Sequence, residues 1–455
     1  MNIKFSRFFI MLALLIASII SCRKEESEAT YARKTRDYSS DVIQSWNQLF
    51  LEIEQYAGGY RPGPAPRALA YLGIACYEAC IAGTSTYNSI ESQFSGLNLP
   101  KAKVGDEYHW PTIVNEVSAS LMTKFFPSAS VKIETLRKVN EEKFKSDASF
   151  DVLSRSASHG SSVALVIWDW SKTDAVGHDA YKDPFGTYNW QAVYKKAGDW
   201  KATIPGPGKP MFPFWGNARA FAITQNDKIC RPPLAYSEST RSAYYSQAIE
   251  VYSQNTPTLS HTTEWIGEFW SDDLVNLTFS PGPRWMAIAN QVYAIEKSSL
   301  ETALVCNAKV GMALNDAAVG CWNSKYYYNV ERPVTYIQKV IDPTWKPALQ
   351  NPLTGETGIS PSFPAYPSGH STMGAAGAEA LASVFGYSYA MTDKCHQNRT
   401  EFEGTPRSFG SFYEMAQENA WSRVPLGVHW RMDCEEGVRY GTEIGRKINN
   451  LPWKK

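Results

Sequence analysis

Apolar side chains recur at helical spacing through most of this chain, and that recurrence commits it to a fold of packed helices. Within residues 31–60, Val42, Ile43, Trp46, Leu49, Phe50 and Ile53 fall on one helical face. The same spacing predicts helices over 67–82, 111–126, 131–145, 152–170, 237–253, 263–270, 283–298, 301–319, 369–385, 409–421 and 428–448. Few runs alternate with the period of a strand, and no short internal repeat is present. The expected fold class is therefore all-α, built of packed helical bundles. The 67–82 segment is apolar on most sides, and 369–385 is small and apolar, so both are expected to be tightly packed. Residues 174–217 lack periodicity and carry Pro205-Gly206-Pro207-Gly208-Lys209-Pro210. A segment of that length without its own period is expected to be an ordered loop or a lid.

The N-terminus reads as a processing signal. Lys4 and Arg7 precede a short apolar run from Phe8 to Ile20, followed by Ser21-Cys22. The run is too short for a comfortable membrane span. Residues 1–21 are read as a bacterial lipoprotein signal peptide, Cys22 as the lipidated first residue and 22–30 as a charged tether. The remaining 31–455 is expected to form the helical domain. These features imply a bacterial cell-envelope location, periplasmic or surface-exposed, with membrane attachment through the Cys22 lipid. Lys plus Arg and Asp plus Glu balance at 45 each, which gives no basis for nucleic-acid binding. Beyond Cys22 an odd number of cysteines remains, so at least one thiol is unpaired within the chain. Cys76 and Cys80, one helical turn apart in an apolar segment, read as buried free thiols.

Three segments carry chemistry. Lys325 and Arg332 are seven residues apart, which on a continuous helix returns both cations to one face. Pro333 disfavours helix at Arg332 and puts it at the end of an element. In Pro367-Ser368-Gly369-His370 the proline stops the preceding structure and the glycine admits close approach to the backbone. The helix beyond directs free N–H groups to the same spot. Ser368 adds a hydroxyl, and His370 an acid or base that titrates near neutrality. In the third segment His429 and Asp433 stand four apart at the opening of the last helix, so the carboxylate can orient the imidazole. Arg423 precedes a turn over 425–427 that can fold it back beside His429.

The order Lys-x6-Arg-Pro, Pro-Ser-Gly-His, Ser-Arg-x5-His-x3-Asp resembles the signature of the type 2 phosphatidic acid phosphatase and vanadium haloperoxidase superfamily. All three segments match without substitution, between 322 and 433. The resemblance implies that Lys325, Arg332 and Arg423 bind the equatorial oxygens of vanadate, with hydrogen bonds from Ser368 and the Gly369 N–H. It makes His429 the vanadium ligand, Asp433 its orienting group and His370 the acid–base partner, with Lys325 also catalytic. Trp322 and Phe363 match an aromatic pair beside the halide site of vanadium chloroperoxidases. Asp272 or Asp273, the latter preferred, resembles the acidic partner of the third-motif arginine. The implied function is vanadate-dependent oxidation of halide by hydrogen peroxide. An acid phosphatase using the same pocket, with His429 as nucleophile, is the alternative. An oxyanion-sequestering lipoprotein is a third reading.

Overall fold

The structure is a computed structural model that describes residues 33–202, 209–254, 260–272 and 274–455. The proposed signal peptide, Cys22 and the tether lie outside the described residues, as does Asp273. Thirteen helices of eight residues or more are described, and we number them in chain order. They are α1 (Asp41–Glu54), α2 (Pro64–Ala79), α3 (Trp110–Phe125), α4 (Ser130–Phe144), α5 (Phe150–Lys172), α6 (Ala243–Gln254) and α7 (His261–Phe269). The rest are α8 (Arg284–Glu296), α9 (Leu300–Tyr328), α10 (Pro333–Val340), α11 (Gly369–Phe385), α12 (Phe412–Trp421) and α13 (Arg431–Asn449). The described strands are two short antiparallel pairs, Gln350–Asn351 with Glu356–Thr357 and Met391–Asp393 with Arg407–Phe409. The all-α expectation holds.

The hub is α9, buried on nearly every side, as expected of a helix apolar all round. Ser299 caps its start by accepting from Thr302 N at 3.2 Å, and Asn329, in the left-handed conformation at φ 52°, ends it. This helix is longer than the predicted 301–319 segment. Gly320, where the apolar pattern falters, makes room for the Tyr440 ring, whose hydroxyl would sit 2.2 Å from a Cβ there. Trp322 and Lys325 therefore ride on the last two turns of one rigid helix. One face of α9 packs on α2 and another on α11. One continuous core runs from the N-terminal helices α1 to α5 through α9 to the C-terminal helices. The α10 helix was not foreseen; Pro333 sits at its first position, where no N–H is needed.

The crossing of α11 and α13 positions the second and third motifs. Gly437, Gly441 and Gly445 form a stripe along α13 that lies against α11. A Cβ on Gly441 would stand 2.1 Å from the Thr372 carbonyl oxygen, and one on Gly445 2.7 Å from Glu379 Cβ. The helices are thus in backbone-to-side-chain contact, closer than ordinary side chains permit.

The described residues of 174–217, expected as a loop or lid, hold only short helical turns such as Ala175–His178 and Trp190–Val193. The segment is tied down over the first motif. Met211 accepts from Trp322 Nε1 (3.3 Å) and the Tyr326 hydroxyl (2.7 Å), and Trp200 N donates to Asn329 O (2.7 Å). Cys76 and Cys80 are buried thiols, and burial pushes Cys76 up to about 12.

The glycine stripe yields a test. Gly441→Val should lower the unfolding free energy in urea by about 1–3 kcal/mol, the usual cost of overpacking. Gly58→Ala, with nothing within 4 Å of the added carbon, should change it by less than about 0.5 kcal/mol.

Candidate active site

The three motifs converge. Lys325, Arg332, Ser368, Arg423 and Asp433 are fully buried, and His370 and His429 nearly so. His370, His429, Gly369, Trp322 and Phe363 line a cavity of about 150 Å³, and the cations lie behind its wall. Arg61, Met211 and Met373 complete part of the lining.

Lys325 and Arg332 do not share a helix face as their spacing on one helix would have it. The chain reverses at Asn329, and Arg332 is the residue that caps the start of α10. They converge because both reach the loop that precedes α11. Lys325 Nζ donates to Pro364 O (2.9 Å) and Ala365 O (2.8 Å), leaving its third N–H for the site. Arg332 donates through Nε to Phe363 O (2.9 Å), and through Nη1 to Val428 O (2.7 Å) and His429 Nε2 (3.1 Å). Burial is the main reason Lys325 falls to about 7.

Ser368 caps α11. Its Oγ accepts from Ser371 N at 3.3 Å, which leaves the hydroxyl proton free to donate. Its own N–H donates to the Asp433 carbonyl at 2.9 Å, linking the second motif to the third. Gly369 brings the helix start against Trp322, whose ring would be 3.3 Å from a Cβ there. His370 follows, with its carbonyl accepting from Asn419 Nδ2 at 3.0 Å.

His429 and Asp433 meet, but not as neighbours on one helix face. The helix starts at Arg431 with Trp430 as cap, so His429 precedes it. Asp433, in the first turn, reaches back to accept from His429 Nδ1 (2.8 Å) and Trp430 N (3.1 Å). Nδ1 therefore carries the proton, and the Nε2 lone pair points at Arg332 and the cavity. Burial, then Arg332, Lys325 and Arg423, hold His429 well below its usual range, which keeps the imidazole neutral. Burial raises the Asp433 carboxyl to about 7. The turn predicted after Arg423 forms: Val428 N donates to Arg423 O at 3.2 Å, with Gly427 at φ 75°.

Trp322 and Phe363 are in contact, ring centroids 5.0 Å apart, and Lys325 Nζ lies 5.1 Å from the Phe363 centroid. Asp272 is engaged elsewhere. It accepts from Arg284 Nη1 (3.0 Å) and pairs with His396 Nε2 (2.9 Å), while Arg284 Nη2 reaches Asp393 at 2.8 Å. Reading the sequence missed this buried Arg284 cluster, whose members come from three separate segments: Asp272, Arg284, and Asp393 with His396. It holds the stretch whose Trp270 carbonyl lies 3.4 Å from Arg423 Nη1.

The donor set fits a tetrahedral oxyanion. Three buried cations, a serine hydroxyl and a helix start face a neutral imidazole, and the Asp433 carboxylate is turned to His429. A buried, cation-walled oxyanion site on a helical-bundle scaffold is what the resemblance to the phosphatase–haloperoxidase superfamily implies. The comparisons narrow this. The model of the vanadium chloroperoxidase second helical-bundle domain matches residues 306–452. Vanadium chloroperoxidase of Curvularia inaequalis is 22% identical over 88% of this chain and 80% of its own length. A bacterial vanadium-dependent iodoperoxidase structure superposes with TM-score 0.79 and 27% identity, over 91% of this chain and 97% of its own. A bacterial vanadium-dependent chloroperoxidase, 14% identical, matches in fold with TM-score 0.61 over 87% of this chain and 94% of its own. Over residues 306–452 the chain matches the vanadium chloroperoxidase domain, and over most of its length it is similar to vanadium haloperoxidases.

Lys325 offers a pH test. Its folded-state value lies below the unfolded one, so between about pH 7 and pH 10 the unfolded chain binds the extra proton and stability rises with pH. Without added oxyanion, Lys325→Met should be more stable than the native protein at pH 7, and the gap should narrow toward pH 10. Urea titrations across that range measure it.

Proposed function

We propose that the protein oxidises halide with hydrogen peroxide, using vanadate held by Lys325, Arg332, Arg423, Ser368, the Gly369 N–H and His429. The observation that carries this over phosphate-ester hydrolysis is the Trp322–Phe363 pair. It closes one wall of a cavity of about 150 Å³ beside Lys325, an apolar surface suited to a weakly hydrated anion. The similarity to chloro- and iodoperoxidases supports the same reading over the phosphatase alternative.

Vanadate, when bound, would supply a Lewis-acid centre that activates peroxide without changing its own oxidation state. The chain's residues do the rest. Arg332 and Arg423 would hold the oxyanion from fixed positions, so no reorganisation would be needed as charge develops. Lys325, steadied by two carbonyls, keeps its remaining N–H and would donate it to the bound oxyanion. Asp433 keeps the proton on His429 Nδ1 and so leaves Nε2 as the ligand atom. Halide, peroxide and a proton give hypohalous acid and water, and His370, lining the cavity, handles that proton. The apolar walls exclude bulk water from the reacting oxygens.

Lipid attachment at Cys22 and an envelope location belong to the same proposal. They rest on Lys4, Arg7, the apolar run and Ser21-Cys22.

With orthovanadate and peroxide, the protein lacking residues 1–22 should convert iodide to triiodide. His429→Ala should cut the rate by more than about a hundredfold, beyond the loss usual for an outer-shell partner. Asp433→Asn should weaken vanadate binding about 10- to 100-fold, read by calorimetry. Hydrolysis of p-nitrophenyl phosphate in the absence of any vanadate-dependent halide oxidation would sink the proposal. In the full chain, Cys22→Ala should shift the protein from the membrane to the soluble fraction.

A further inference from the structure

The active-site cavity has a neighbour. A hollow of about 370 Å³ lies between α7, the 348–352 segment and the turn after Arg423, and Leu274 and Leu349 line both spaces. Leu277 and Leu426 extend the apolar floor. Glu264, Glu268 and Glu401 also line the hollow, and among the described residues none of its lining is Lys, Arg or His. Arg399 pairs with Glu401 at 3.2 Å, and Glu268 accepts from Glu403 N at 2.7 Å. Glu264 and Glu401 are exposed at the rim.

A second observation points to a ligand. Ser271, 9% exposed, lines the hollow, and its buried hydroxyl makes no hydrogen bond within the protein. A buried hydroxyl without a partner costs about 1–3 kcal/mol, and a turn of the Ser271 side chain toward the hollow would let a polar group of a bound molecule supply one.

We propose that this groove holds the organic acceptor of the halogen: a small, electron-rich aromatic molecule bearing an ammonium group. This rests on the halide-oxidation reading above. The charge layout sets the orientation. Acids stand at the rim, while Lys325, Arg332 and Arg423 lie beyond the shared leucine wall. A cationic head is held at the rim, and the ring lies along the leucines toward the cavity. An anionic acceptor is repelled by Glu264. Hypohalous acid arriving from the cavity breaks an aromatic C–H bond and forms a C–halogen bond. The released proton leaves with the hydroxide as water, so no further oxidant is needed.

Tyramine and 4-hydroxyphenylacetate carry the same phenol and opposite charges, and they make the test. By calorimetry on the vanadate-free protein, tyramine should bind at least about tenfold more tightly, an energy difference of about 1.4 kcal/mol. Glu264→Gln and Ser271→Ala should each weaken tyramine about three- to fivefold, the range of a rim charge or one hydrogen bond. Equal affinity for the two phenols, or no saturable binding, overturns the proposal. During turnover with iodide, the ratio of ring iodination to triiodide should be higher for tyramine, and Glu264→Gln should lower it. An unchanged ratio shows that hypohalous acid escapes before reaching a bound acceptor, and overturns the acceptor role. If no triiodide forms at all, the halide reading fails and the acceptor role with it, while the calorimetry still decides whether the groove binds an aromatic ammonium.

Discussion

The site depends on one backbone hydrogen bond, from Ser368 N to the carbonyl of Asp433 at 2.9 Å. It joins the starts of α11 and α13, the helices that open at the second and third motifs. Because the Gly437–Gly441–Gly445 stripe removes side chains from the crossing, the two starts lie side by side. One of them delivers the serine hydroxyl and the free Gly369 N–H. The other delivers the carboxylate that locks His429 in a single tautomer. A larger residue in the stripe would part the helices, and the oxyanion donors would separate from the proposed ligand.

The second constraint is electrostatic. Lys325, Arg332 and Arg423 are fully buried, and the first two act on the buried Asp433 carboxylate. Burial of charge is costly, and the fold offsets part of the cost with backbone carbonyls. Pro364, Ala365, Phe363, Val428 and Trp270 each present an oxygen to one of these side chains. Those contacts also fix the cations in space, so an arriving oxyanion meets donors already in position. What remains of the cost is relieved when the anion binds. The Arg284 cluster repeats the strategy one layer out, where Asp272, Asp393 and His396 steady the segment that carries Trp270.

Much of the helical architecture was legible in the chain because helix periodicity is a local property. The errors sit where tertiary contacts override local pattern. The α9 helix outruns its apolar period because Gly320 faces Tyr440 and the last turns are held by Met211 and the 228–230 strand of loop. The α10 helix is brief, and its only local sign is Pro333. Motif order singled out Lys325, Arg332, Ser368, Gly369, His370, Arg423, His429 and Asp433, and the fold brings them together. The Arg284 cluster and the groove beside Leu274 and Leu349 were not singled out, since their members are far apart in the chain.

The amino-acid sequence by itself determined the helical class, the donor inventory and the pairing of His429 with Asp433, because each is set by residue type and short spacing. Only the tertiary structure decided how those donors meet. Lys325 and Arg332 converge through a chain reversal at Asn329 instead of along one helix face. Asp433 reaches His429 by folding back over a helix start instead of along a helical turn. The direction of a side chain is set by where its element ends and what packs against it, and in this protein those ends are made by contacts between residues a hundred positions apart.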